Sequence, residues 1–113
     1  MADLIQHFSG DKLGLTEKIR EYDNLVLVDF FATWCGPCRR LSMALQTIAS
    51  NNTDVTIIKI DIDENEDLAA EFGVTLVPRI LFVKKDAKTY TILDEFIGCD
   101  IPRIKEDIEK FRF

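Results

Sequence analysis

Histidine and cysteine are scarce in this 113-residue chain, which has one and three of them. That scarcity already narrows the chemistry. Small secreted domains are stapled by larger, even numbers of cysteines, so three make a poor disulfide framework and a reducing compartment fits better. Basic residues are in deficit too, with 14 Lys and Arg against 20 Asp and Glu, and the resulting charge of −6 repels polyphosphate backbones and anionic membrane surfaces. Long apolar runs are missing, and the first residues, MADLIQHFSGDKLG, carry no basic segment followed by an apolar one. The expectation is a soluble, cytoplasmic protein, monomeric, that binds neither nucleic acid nor membrane. Linkers, repeats and low-complexity segments are absent as well. With 47% hydrophobic residues the chain can build one core but not two, which predicts a single domain over residues 1–113.

What is present reads as βαβαβαββα. A short strand near residues 4–8 precedes a helix whose Leu15, Ile19 and Tyr22 recur at helical spacing, before Asp23-Asn24 breaks the pattern. Residues 25–31 are almost continuously apolar and rich in Val and Phe, as a central strand covered on both faces requires. Leu41, Leu45 and Ile48 mark the following helix, and VTIIKIDID from Val55 a second buried strand. Leu68, Ala69 and Phe72 mark a short helix that stops at Gly73. RILFV and TYTILDEFI form a hairpin around KKDAK, and Asp100 caps a last helix buried through Ile101, Ile104, Ile108 and Phe111. The fold class is α/β, a central mixed β-sheet with helices on both faces.

On this plan FATWCGPC places Cys35 where a central strand ends and a helix begins. With Cys35 as N-cap and Cys38 as the third helical residue, the Cys35 sulfur faces the Cys38 N–H and the positive end of the helix dipole. Such a position lowers a thiol pKa from about 8.5 towards neutrality, and a thiol ionising near ambient pH attacks disulfides best. Pro37 gives up an N–H that had no helical partner, and Gly36 leaves the first sulfur uncovered. A zinc site would need two further ligands, and only Cys99 and His7 remain, at opposite ends of the chain. Packing alone explains neither the Gly-Pro spacer nor the adjacent Trp34.

Asp29 interrupts the apolar run, and alternation with Leu27 and Phe31 directs it to a covered face. A carboxyl there should ionise only at raised pH, which suits acid/base work near neutrality, although a strand-end Asp bonded to a loop is the simpler alternative. Lys59, in the other buried strand, is its expected counter-charge, or else an ordinary snorkelling lysine. Pro78, lacking an N–H, belongs at the entrance of RILFV, and a cis bond at Val77-Pro78 is conceivable. Arg39 and Arg40 add positive charge beside the thiols, screened by solvent. Met1, His7 and the Lys84/Lys85 pair look structural or solvated.

Taken in order, VDFFATWCGPC, KIDIDEN, TLVPRILFV and Gly98 resemble the thioredoxin family over nearly the whole chain, with Trp-Cys-Gly-Pro-Cys the most specific element. The resemblance implies a thioredoxin fold and protein dithiol–disulfide exchange. It matches Cys35 to the attacking cysteine, Cys38 to the resolving one, Asp29 to the buried carboxylate that deprotonates it, Lys59 to that carboxylate's partner and Pro78 to the cis-proline. Val77 would offer backbone groups to an extended client segment, and Trp34, Gly36, Pro37 and Gly98 would rim the groove. It further implies disulfide-containing client proteins, recycling by a flavin-containing, NADPH-using thioredoxin reductase, and no cofactor or metal on the chain itself. A glutaredoxin-like reductase, hinted at by Thr75 and the Val77-Pro78-Arg79 turn, and a redox-dependent binding module are the alternatives. The departures are Met43 in place of a mid-helix proline, which predicts a less kinked helix, and Arg79 where threonine is common, adding a cation if it points to the site. The hairpin also lacks its glycine turn and is longer than usual, and Cys99 is an extra thiol, either a buried small residue or a regulatory group.

Overall fold

A computed structural model describes residues 4–113; Met1 lies outside them. The elements run β1 (Ile5–His7), α1 (Lys12–Arg20), β2 (Val26–Phe31), α2 (Gly36–Asn51), β3 (Thr56–Asp61), α3 (Glu66–Glu71), β4 (Arg79–Lys85), β5 (Tyr90–Ile97) and α4 (Ile101–Phe111). They follow the order read from the sequence. The strands form one sheet in the order β1-β3-β2-β4-β5, with β1, β3 and β2 parallel and β4 and β5 antiparallel to their neighbours. β2 is therefore central, flanked by β3 and β4, and its apolar run has two faces to fill.

Strand alternation divides those faces. Val26, Val28 and Phe30 join Ile58 and Ile60 against Leu15 and Ile19 of α1 and Leu68 of α3. Leu27 and its strand neighbours Ile57 and Phe82 pack on the other face against Leu41 and Leu45 of α2 and Ile104 and Ile108 of α4. The odd-numbered positions of β2 thus look towards α2, and Asp29 is one of them.

Helix ends agree with their local chemistry. Asp11 and Asp100 cap α1 and α4 by accepting from Gly14 N and Arg103 N, and Gly73 takes φ +64° just beyond α3, in the left-handed region that favours glycine. Tyr22 falls outside α1, which ends at Arg20, yet still packs on the α1 side of the core. Met43 sits exposed on an uninterrupted 16-residue α2, since no proline removes a helical N–H there.

The β4–β5 turn shows how the missing glycine is replaced. β4 continues through Lys84 to Lys85, which pairs with Tyr90, so the loop is shorter than KKDAK suggests. Asp86 Oδ1 accepts from Lys88 N (3.1 Å) and Thr89 N (2.8 Å), and Arg20 Nη1 donates to the carbonyls of Asp86 and Thr89, both at 2.8 Å. An aspartate turn of this kind needs no residue at positive φ, and no non-glycine residue described adopts one. The β4–β5 pairing carries a register shift at Phe82/Val83. Lys85 is not simply solvated: its ammonium lies 2.6 Å from Asp23.

Leu45, fully buried between the sheet and α4, tests the α2 packing. Leu45→Ala is expected to destabilise the fold by ~2–5 kcal/mol, seen as a lower urea midpoint with an unchanged slope.

Candidate redox site

At the carboxyl end of β2 the chain turns through Ala32-Thr33-Trp34 into α2. Cys35 is the N-cap of that helix, and its Sγ accepts from Cys38 N at 3.2 Å. The geometry read from the Cys-Gly-Pro-Cys spacing is therefore present, with Pro37 in the first turn. The two cysteines are joined by a disulfide, their Cα atoms 5.2 Å apart. A sulfur at this position, once reduced, feels both an amide donor and the aligned peptide dipoles, which favour thiolate over thiol.

Gly36 does not leave Cys35 open: the residue is 5% exposed. Ile62 and Val77 pack against the Ala32-Cys35-Cys38 cluster and cover it. The Val77 carbonyl oxygen lies 3.6 Å from Cys35 Sγ, and the Val77-Pro78 bond is cis. Pro78 is buried, and its carbonyl accepts from Gly98 N at 2.8 Å. One hydrogen bond thus links the Pro78 and Gly98 loops, and one close contact brings Val77 to the disulfide. Trp34, 67% exposed, stands beside the site with its Nε1 donating to Asp63 Oδ2 at 2.9 Å. Asp63 was assigned no role from the sequence, where it is one acid among several in KIDIDEN; nothing in that run singles it out.

Asp29 is fully buried, and neither carboxyl oxygen has a hydrogen-bond partner. Desolvation pushes its pKa up to about 7, against a smaller lowering by the charge of Lys59. The strand-end alternative fails on this point, since no loop group satisfies the carboxyl.

Lys59 stands opposite Asp29 in the β2–β3 register and acts as its counter-charge, lowering the Asp29 pKa, without touching the carboxyl. Its ammonium donates to Ser42 Oγ at 2.7 Å and sits 4.7 Å from the Phe31 ring centroid. The lysine stem is long enough to carry the charge to a hydroxyl and an aromatic face. Its influence on Asp29 is then through space. A cavity of about 230 Å³ lies at this spot, lined by Phe31, Thr33, Cys38, Arg39, Ser42 and Lys59.

Arg79 does not bring a cation to the disulfide. Its guanidinium pairs with Glu95 on the neighbouring strand and donates to Gly73 O at 3.3 Å. Cys99 is half-buried against the α2–α4 face of the core and forms no disulfide. Among the described residues no group of three or more His, Cys, Asp or Glu side chains is placed to hold a metal ion, and no helix is long and apolar enough to cross a membrane.

Comparison with known proteins converges on one family. A model of the Thioredoxin family matches residues 9–110. Thioredoxin H2 of Arabidopsis thaliana is 36% identical over 95 residues, 84% of this chain and 68% of the relative. Thioredoxin-1 of Schizosaccharomyces pombe is 36% identical over 87 residues, covering 77% and 81%. The structure of Trichomonas vaginalis thioredoxin superposes with a TM-score of 0.93 at 51% identity, covering 96% of this chain and 98% of that one.

The orphaned Asp29 carboxyl yields a stability test. Because its folded pKa lies above the unfolded value near 3.9, the folded state holds an extra proton between about pH 4 and 7, and stability falls as pH rises through that window. Asp29→Asn should therefore match the wild type near pH 4 and exceed it by ~2–4 kcal/mol at pH 8, in urea unfolding of both oxidised proteins. A difference that does not change with pH would mean that Asp29 does not titrate in this range.

Proposed function

Because this chain belongs to the thioredoxin family and is a protein-disulfide oxidoreductase, we propose that Cys35 and Cys38 divide the exchange between them, with Cys35 attacking and Cys38 resolving. The Cys35 thiolate attacks one sulfur of a client disulfide, forming a mixed disulfide and releasing the client's other sulfur as a thiolate. Cys38 then gives up its proton and attacks Cys35 Sγ. The second client thiolate leaves, the client has gained two electrons, and the protein holds the Cys35–Cys38 disulfide. Both sulfurs belong to the chain, so the exchange needs no bound cofactor.

Asp29 is the proposed acceptor of the Cys38 proton. It is a carboxyl without a hydrogen-bond partner, ionising near pH 7 on the face of β2 turned to α2, and a base poised at ambient pH moves protons most effectively. Lys59 tunes it, holding charge within the same strand pair. Val77 offers its backbone to an extended client segment, Pro78 positions it, and Trp34, Gly36, Pro37 and Gly98 form the rim. The observation that carries this assignment is the N-cap hydrogen bond from Cys38 N to Cys35 Sγ, because it gives the two sulfurs unequal environments. Recycling by a flavin-containing, NADPH-using thioredoxin reductase, action as a monomeric single domain in the cytoplasm, and a place in cellular electron transfer complete the proposal. They follow the family membership.

The division of labour is directly testable. Cys35→Ser should abolish disulfide reduction, whereas Cys38→Ser should trap a covalent client adduct visible on a non-reducing gel. Adducts formed by Cys35→Ser instead would reverse the roles. Asp29→Asn should slow release of the mixed disulfide by roughly 10²-fold at neutral pH, followed by quenched-flow of the preformed adduct.

A further inference from the structure

The arginines of this acidic chain are not alike. Arg79, Arg103 and Arg112 are committed to Glu95, Asp94 and Asp54, and Arg20 to the carbonyls of the β4–β5 turn. Among the described residues the Arg39 guanidinium donates only to Thr33 O (3.0 Å), and the Arg40 side chain forms no hydrogen bond or ion pair. Both are exposed. The helix that carries them contains no Asp or Glu in 16 residues, although the chain has 20 acids. No carboxylate therefore stands at the i+3 or i+4 positions where a helix would neutralise them.

The two guanidinium groups are also gathered at one place. A Cβ built on Gly36 would lie 3.8 Å from Arg40 Nη1 and 4.0 Å from Arg39 Nη2. Gly36 adjoins Cys35, so both charges gather beside the residue next to the sulfur that meets the client, at a range where physiological salt, with a Debye length of about 8 Å, does not fully screen them. The exposed side chains that border them are largely apolar: Trp34 is 67% accessible next to the Arg39–Thr33 bond, with Asp63 held on its Nε1, and Met43 is 76% accessible three residues beyond Arg40. A basic spot with apolar borders fits a polypeptide segment better than a free anion.

We propose that Arg39 and Arg40 make this site select clients in which an acidic side chain lies next to the cysteine being attacked. The proposal rests on the reading of Cys35 as the attacking thiol and adds a substrate preference to it. The overall charge of −6 disfavours acidic partners at long range, and the arginine pair reverses that preference locally, where the client's own charge enters the encounter complex.

The test uses three disulfide-linked peptides, identical except for Glu, Gln or Lys after the cysteine, with the prereduced full chain. The readout is the ratio of second-order rate constants for the Glu and Lys peptides. The same thiolate attacks both, so a change in its pKa cancels. At low salt the wild type should favour the Glu peptide about tenfold, declining to about twofold at 0.5 M NaCl. Arg40→Gln should cut the low-salt ratio about threefold, and Arg40→Glu should bring it to one or below. Lys88→Gln, which removes the same charge at the opposite end of the sheet, should leave it alone. A low-salt wild-type ratio near one, or a ratio preserved in Arg40→Glu, overturns the proposal while leaving the reductase intact. An adduct with the Glu peptide trapped by Cys35→Ser and not by Cys38→Ser overturns the Cys35 reading and this preference with it.

Discussion

A single hydrogen bond, from Cys38 N–H to the Cys35 sulfur, ties the architecture to the chemistry. It closes the first turn of α2, where a backbone donor would otherwise have no partner, and it supplies the polarisation that separates the two thiols. Everything upstream places that bond. The apolar run of β2 needs cover on both faces, so the sheet draws helices to each side. β2 delivers its last residues to the sheet's carboxyl edge, and α2 must start there. Substituting the usual Ser or Asp cap by cysteine turns a stability device into a reactive one.

The other half of the arrangement is a cost accepted in the core. Asp29 is fully buried with two carboxyl oxygens that have no partner, a desolvation cost that an apolar side chain would not carry. Its raised pKa is not by itself a mark of function, because Asp107 on α4 is also pushed up to about 7. Burial is the leading cause in both, and the neighbours differ. Asp94 beside Asp107 raises it further, and Arg103 holds Asp94 by two bonds of 2.9 and 2.7 Å, so a second acid and a cation share the Asp107 site. Asp29 has no such partner, and its face of the strand is the one turned to the redox helix. Position, not the value of the pKa, favours Asp29 over Asp107 as the proposed proton acceptor.

Much of this could be read from the residues, for definite reasons. Continuous apolar strands, alternation about Asp29 and the Cys-Gly-Pro-Cys start of a helix are local patterns, and each survived into the fold because packing agreed with them. What the residues leave open concerns groups whose partners are distant in sequence. Lys59 acts on Asp29 by its charge yet donates to Ser42, 17 positions away, and Arg79, whose direction the sequence leaves undecided, pairs with Glu95; long side chains choose among several acceptors that only the tertiary structure brings together. The open Cys35 expected from Gly36 was closed by Val77, 42 positions on. Asp86 replaced the absent glycine through side-chain bonds to its own turn, a substitution that the sequence does contain, since aspartate at a turn start is a recognisable signal.

Lys59 and the Arg39–Arg40 pair carry the same sign of charge near the same two sulfurs, yet the medium separates their roles. Lys59 is 7% exposed, and in a drier environment a charge acts strongly over several ångströms; its field reaches Asp29 and lowers the pKa that burial raises. The arginines are in water, where the same Coulomb interaction is several times weaker and salt reduces it further. Their effect on the chain's own groups is correspondingly small, while a client docked beside Trp34 would displace part of that water and meet them at short range. The buried cation therefore acts on the chain's own carboxyl, and the role proposed for the two exposed ones lies with the partner.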